Sequence, residues 1–269
     1  MATVTSTETA TASQTKELPT ILLVQGSFQI PQVYDKLVQG LVARGYHTIH
    51  PQLPSCSNTD STNFPQLTLV DDALAIRTEL TRQIEYGGKT VVVVMHSYGG
   101  LVGSEAITEE LSYTRRQAQG LPGGVIHLFL YSAFLLNEGQ SVLSAFGESP
   151  NNDVKPDGRF YILHGEKTLY GDLPPSEASL WASRLIAQSY QVQTTKLTRA
   201  AWRYIPSTYL ICENDQAAPP QYQEMFAASA KAQVEKCSSG HSPHLSQPEM
   251  LVQKIHEASQ KAVAGLDDD

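Results

Sequence analysis

The stretch Val91-Val92-Val93-Val94-Met95-His96-Ser97-Tyr98-Gly99-Gly100 decides how this chain is read. An apolar β-branched run leads through His96 to a serine, and a glycine pair follows Tyr98. From Leu101 to about Leu111 apolar residues recur at helical spacing. That is the pattern of a buried strand, a sharp turn and a helix, with Ser97 at the apex. A serine held there projects its hydroxyl above the sheet, and N–H groups at the helix start can receive an oxyanion. Taken alone, the same residues also fit a turn serine that caps a helix.

Outward from this segment, strand and helix signals alternate, which favours a parallel sheet flanked by helices. Strands are expected at Thr20–Gln25, Tyr46–His50, Lys89–His96, Val125–Ala133, Thr208–Cys212 and Gln233–Cys237. Helices are expected at Val33–Ala43, Leu69–Tyr86, Gln221–Ala230 and Pro248–Val263, with Gly45 and Gly87-Gly88 ending the first two. The alternation stops between Leu135 and Arg203, where no convincing sheet strand is found. This section holds Pro150, Pro156, Pro174 and Pro175, with amphipathic stretches near Ser176–Ser189 and Gln193–Trp202. A bare loop of that length is improbable in a compact domain. The expectation is an inserted helical cap over residues 135–203, with a core formed by residues 18–134 and 204–265.

At 269 residues the chain fits one large α/β domain, or a domain with an inserted subdomain. Lysine plus arginine is 19 against 27 aspartate plus glutamate, a net charge of −8, which argues against nucleic acid or an anionic membrane as partner. Cys56, Cys212 and Cys237 offer neither a disulfide framework nor a metal-ligand spacing. No metal and no cofactor is therefore expected, and the partner is expected to be a small-molecule substrate. No apolar run approaches the roughly 20 residues that span a bilayer. Residues 1–17 are rich in Thr, Ser and Ala and lack a secretory apolar region, so they read as a mobile tail. The acidic end Asp267-Asp268-Asp269 reads as solvated. A cytoplasmic monomer or homodimer is the expectation.

The turn at Ser97 resembles the nucleophile elbow of alpha/beta-hydrolase enzymes. The stretch from about Pro19 to Ile255 is similar to their compact branch of methylesterases, hydroxynitrile lyases and related microbial and fungal esterases. The resemblance implies an α/β fold, with a mostly parallel central sheet flanked by helices and a helical cap inserted at the place noted above. The chain departs from Gly-x-Ser-x-Gly at Met95, where the first glycine normally lets helix and strand pack closely. Gly99, Gly100 and Gly103 offer clearance from the helix side.

Ester hydrolysis at a serine needs a base to take its proton and a group to orient that base. In this fold the chain order is serine, acid, histidine. Asp215 lies in Cys212-Glu213-Asn214-Asp215-Gln216-Ala217-Ala218-Pro219, just past a strand end, with Glu213 as the nearest competing carboxylate. Asp153, Asp157 and Asp172 fall in the expected cap. His241 and His244 both lie in the loop after the last strand. The family carries its base in a Gly-His or Asp-His pair shortly before a Leu-Ser-x-Pro segment. Gly240-His241 and Leu245-Ser246-Gln247-Pro248 match that pattern, so the resemblance selects Ser97, Asp215 and His241. His96 is expected to point away from Ser97 and pack beneath the turn.

By the same resemblance, the oxyanion donors are the N–H groups of Tyr98 and of Ser27, in Gln25-Gly26-Ser27-Phe28 where the family usually has His-Gly. Gln25 is expected to hydrogen-bond within that loop. Phe28, Tyr98, Trp181 and Trp202 are the candidate substrate-binding residues, with Tyr170 and Phe146 as further cap candidates; an aromatic in a cap helix also serves as core. The leading expectation is hydrolysis of a small ester, lactone or thioester. The alternatives are a C–C lyase of retro-aldol type using the same triad as acid and base, and a ligand-binding receptor. Plant hydroxynitrile lyases of this branch carry a lysine after the base and a threonine in the first loop. Ser242 and Gly26 stand at those places, which favours an esterase over that lyase.

Overall fold

The computed structural model describes residues 17–266. The expected tail, apart from Glu17, and the acidic end at 267–269 lie outside the described residues. The strands are β1 (Thr20–Val24), β2 (Thr48–Ile49), β3 (Thr90–His96), β4 (Gly124–Tyr131), β5 (Asn152–Val154), β6 (Arg159–Ile162), β7 (Gln188–Ser189), β8 (Ser207–Cys212) and β9 (Gln233–Cys237). The α-helices are α1 (Asp35–Ala43), α2 (Leu69–Thr81), α3 (Gly99–Ala106), α4 (Tyr113–Ala118), α5 (Val142–Phe146), α6 (Gly165–Thr168), α7 (Pro175–Ala182), α8 (Gln191–Thr194), α9 (Pro220–Ala230), α10 (Pro243–Ser246) and α11 (Pro248–Gly265).

Six strands form one sheet in the order β2-β1-β3-β4-β8-β9, every neighbouring pair parallel. The valine run of β3 is continuous because the sheet is covered on both faces. Val92 and Val94 point with Ile21 and Leu23 into a core closed by Leu37 and Leu41 of α1 and Leu251 and Ile255 of α11. Val91, Val93 and Met95 point with Leu22 and Val24 to the other face, against Ile76 and Leu80 of α2 and Leu101 and Val102 of α3. Each such side chain, fully buried, stabilises the fold by roughly 1.5–3 kcal/mol relative to exposure. Because the strands are parallel, the carboxyl ends of β1, β3, β8 and β9 share one edge, where open α/β sheets build their sites.

Helix α2 begins with a capping box in which Thr68 and Asp71 bond reciprocally. A π-helical turn, Arg82–Tyr86, extends it to the expected stop. There the Gly88 N–H donates to the Ile84 carbonyl at 3.0 Å.

Residues 135–203, expected as a helical cap, carry short helices and also a small sheet. None of its strands joins the six-stranded sheet, but β5, β6 and β7 form an antiparallel sheet of their own. Strands of three, four and two residues are too short for alternation to register. The readable signal is Pro156-Asp157-Gly158, a turn sequence closing the β5–β6 hairpin, with Gly158 at φ +86° and its N–H on the Lys155 carbonyl. The amphipathic stretch at Gln193–Trp202 is not a helix either: α8 ends at Thr194, and a 3-10 turn covers Ala201–Arg203. Among the described residues no helix is long and apolar enough to cross a membrane.

Candidate active site

Ser97 stands between β3 and α3 with φ +53°, the left-handed region that a side chain rarely adopts. Such strain costs of order 1–3 kcal/mol and persists only where the surroundings impose it. Here the Ser97 carbonyl accepts the N–H groups of Gly100 and Phe134, both at 3.0 Å. The missing glycine at Met95 is offset from the helix. A Cβ on Gly103 would lie 2.6 Å from the Met95 sulfur and methyl, so the thioether fills space that a side chain on α3 would need.

His241 follows β9, and its Nε2 lies 3.0 Å from Ser97 Oγ. Its Nδ1 lies 2.9 Å from Asp215 Oδ2 and 3.0 Å from Oδ1. All three side chains are buried. Asp215 follows β8, and its Oδ1 accepts the N–H groups of Ala217 and Ala218 at 2.8 and 2.9 Å. Its Oδ2 also accepts the Gln223 amide at 3.2 Å. These donors fix the carboxylate with an oxygen toward the imidazole, the orientation that holds one tautomer.

The competing histidines sit elsewhere. His244 is fully buried, stacked on Tyr34 at 4.3 Å between ring centroids, with Nδ1 3.5 Å from the Tyr131 hydroxyl. Burial holds its pKa well below the ordinary value, and the neighbouring His241 acts in the same direction. His96 points beneath the turn: its Nε2–H donates to the His241 carbonyl at 2.9 Å, and its Nδ1 lies 2.7 Å from the Tyr34 hydroxyl. It therefore supports the loop that carries His241.

Ser27 and Tyr98 border the same cavity as Ser97 and His241, and among the described residues neither N–H has a backbone acceptor. Gly26 lets the first loop approach, since a Cβ there would lie 3.0 Å from both Ser97 Cβ and His96 Nδ1. Gln25 donates to the Gln29 carbonyl at 2.8 Å, within that loop.

The cavity holds about 420 Å³. Phe28 and Tyr98 line it, and Phe146 lines it from α5. Trp181 and Trp202 do not, which corrects their assignment as substrate-binding residues. Trp181 packs with the α1 and α11 side of the sheet, and the Arg184 guanidinium covers its ring at 5.0 Å. Trp202 is core, packed with the α2 and α3 face. Tyr170 is also core, its hydroxyl accepting from Gln29 at 3.3 Å.

Sequence reasoning missed Asp72. Its Oδ1 accepts the Ser55 N–H at 2.8 Å, and its Oδ2 accepts the Ser55 hydroxyl at 2.5 Å and the Tyr98 phenol at 2.7 Å. The Ser55 hydroxyl in turn accepts the Gln188 amide of β7 at 3.0 Å. Burial raises the Asp72 pKa from 3.8 to about 6, opposed by the Ser55 and Tyr98 hydrogen bonds. The signal was available: Asp72 falls on the buried stripe of α2 with Leu69, Ala73, Ile76 and Leu80. Asp172 was read as part of the insertion, yet its Oδ2 accepts the Gly240 N–H at 2.7 Å, beside His241. Among the described residues no three His, Cys, Asp or Glu side chains converge as metal ligands.

Residues 21–254 match the model of the alpha/beta hydrolase family. The chain is 31% identical over 253 residues to the alpha/beta hydrolase nvfD of Aspergillus novofumigatus (strain IBT 16806), covering 91% of this chain and 98% of that one. Among solved structures, a pyrethroid hydrolase from Sphingobium faniae JZ-2 superposes with TM-score 0.69 at 19% identity, over 91% of this chain and 98% of its own. Polyneuridine aldehyde esterase superposes with TM-score 0.69 at 16% identity, over 90% of this chain and 100% of its own. At such identities the structural likeness speaks for the fold, and the sequence match speaks for descent: the chain belongs to the alpha/beta hydrolase family.

Proposed function

We propose that the protein is a serine esterase that hydrolyses a small carboxylic ester, lactone or thioester through an acyl-enzyme. The observation that carries this reading is the chain of contacts from Ser97 Oγ to His241 Nε2 and from His241 Nδ1 to Asp215. The reading is supported by the relatives, one an alpha/beta hydrolase and others an esterase and a pyrethroid hydrolase.

His241 takes the Ser97 proton as Oγ attacks the carbonyl carbon, and the imidazolium is stabilised by the Asp215 carboxylate. The oxyanion is received by the N–H groups of Ser27 and Tyr98; losing one such donor typically costs about 2.7–4 kcal/mol of transition-state stabilisation. The tetrahedral intermediate collapses as His241 returns its proton to the leaving oxygen or sulfur. Water, deprotonated by His241, then attacks the acyl-enzyme and releases the acid, restoring Ser97. Residues 135–203, which border the cavity through Val142, Phe146 and Phe160, act as the lid that selects the substrate and excludes water.

The test is labelling with a fluorophosphonate probe. Wild type is expected to be labelled at Ser97 and Ser97→Ala to remain unlabelled. A folded wild type that resists the probe would overturn the assignment.

A further inference from the structure

Resting on the esterase reading, we infer that the substrate is an uncharged ester or lactone whose ring-sized apolar skeleton fills the chamber beside Ser97. Esters that carry a carboxylate or phosphate, and short acyl groups such as acetyl, are poor substrates. The argument has three parts.

The first is charge. No lysine or arginine lines the cavity among the described residues. Its one carboxylate, Glu148, already accepts the Tyr190 phenol at 2.6 Å and would repel an anion. An anionic substrate would give up water without gaining a partner, and burying an unpaired charge is strongly unfavourable. The carriers that deliver acyl groups as phosphorylated thioesters are excluded on the same ground.

The second is size. At about 420 Å³ the cavity falls within the range of sites that enclose a drug-sized ligand, and an acetyl group leaves most of it empty.

The third is the wall. Phe28 meets Phe160 edge to face at 4.9 Å between centroids, and Phe134 meets Phe146 in the same manner at 6.0 Å. All four line the cavity. Phenylalanine faces and edges offer dispersion contacts to a ring without asking for a hydrogen bond. Four amides, Asn151, Asn152, Gln193 and Gln216, add neutral polarity at the lining, and the structure gives none of these side chains a hydrogen-bond partner. They suit carbonyl or hydroxyl oxygens on the skeleton.

The test uses paired probes that differ in one property. 4-Nitrophenyl methyl glutarate and 4-nitrophenyl hydrogen glutarate have the same acyl chain and differ in charge. The neutral diester is expected to exceed the acid in kcat/KM by about 30-fold or more. 4-Nitrophenyl cyclohexanecarboxylate is expected to exceed the acetate by about tenfold or more, the scale on which apolar pockets discriminate. Gln193→Lys places a cation at the lining and is expected to raise kcat/KM for the acid relative to the diester by about tenfold. Equal turnover of acid and diester, or a preference for acetate, would overturn the inference. A binding arm separates it from the esterase reading. Calorimetry with Ser97→Ala should find N-benzyl cyclohexanecarboxamide bound more tightly than its 4-carboxybenzyl analogue, whether or not the wild type turns over any ester. If no ester is cleaved but this order holds, the esterase reading fails and the ligand class stands. If the carboxylate analogue binds as well or better, the ligand class fails.

Discussion

The edge of the six-stranded sheet and the insertion at residues 135–203 meet over one cavity but are built on different principles. At the edge, each proposed catalytic side chain follows the carboxyl end of a parallel strand: Ser97 after β3, Asp215 after β8 and His241 after β9. Backbone donors and buried amides then fix those side chains in place. The insertion is a patchwork of short helices and a small antiparallel sheet, with loop between. It contributes apolar surface and a few long-range hydrogen bonds, such as Gln188 to Ser55 and Asp172 to Gly240. The difference teaches that position along a strand constrains chemistry, whereas the shape of a cap is set by contacts that local sequence does not announce. Mutations should divide accordingly, and each variant below can break that division.

The largest effects belong to the sheet edge. Ser97→Ala should lower kcat for any ester substrate by about 10⁴-fold or more, with circular dichroism unchanged. His241→Ala should match it, whereas His244→Ala should leave most of the activity and lower thermal stability instead, since His244 packs against Tyr34 and the His96 ring. A His244→Ala loss as deep as that of His241→Ala would put the base in the wrong place.

Next comes the packing under the elbow. Gly103→Ala should destabilise the fold by about 1–3 kcal/mol in denaturant titration, because the new methyl collides with Met95. Combining it with Met95→Ala should recover part of that loss, a non-additivity expected of touching residues. Strict additivity would mean that the two do not share this space.

Asp72 links the two regions and should give an intermediate effect. Asp72→Asn and Tyr98→Phe should each lower kcat by about fivefold to tenfold with little change in KM, as for a contact that orients an oxyanion donor. Their double variant should be no worse than either alone. The pH dependence has a defined sign. Asp72 is raised from 3.8 to about 6 in the folded state, so its contribution to stability is fully present below about pH 4 and is lost as pH rises through 6. The melting temperature of Asp72→Asn relative to wild type should therefore climb between pH 4 and 7. A flat difference would mean that the carboxyl is not strained by burial.

The smallest effect is expected in the insertion away from the cavity. Trp181→Ala should leave the ranking of esters within about twofold of wild type, whereas Phe146→Ala, at the lining, should shift it toward smaller acyl groups. The opposite order would mean that the cap reaches the substrate through a different face.

These contrasts follow how much could be read beforehand. The strands β1, β3, β4 and β8 stand out in the sequence because burial on both faces leaves long apolar runs. Ser97 is legible from the strand and glycines around it. Asp215 and His241 needed the family pattern, because a loop carboxylate and a loop histidine have no periodicity of their own. Asp72 was legible as a charge on an apolar helical stripe. The hairpin of β5 and β6 was hidden by its brevity. Trp181 and Trp202 were misassigned because composition says that an aromatic will be buried, not on which side of a cap.

The most direct test of the account is to trap the acyl-enzyme. Wild type mixed rapidly with 4-nitrophenyl cyclohexanecarboxylate should release a burst of nitrophenol equal to the enzyme sites. Acid quench and peptide mass analysis should then find the cyclohexanecarbonyl group on the peptide containing Ser97. A lyase or a receptor forms no such bond. Turnover without any acyl group on Ser97, or acylation that survives in Ser97→Ala, would contradict the account.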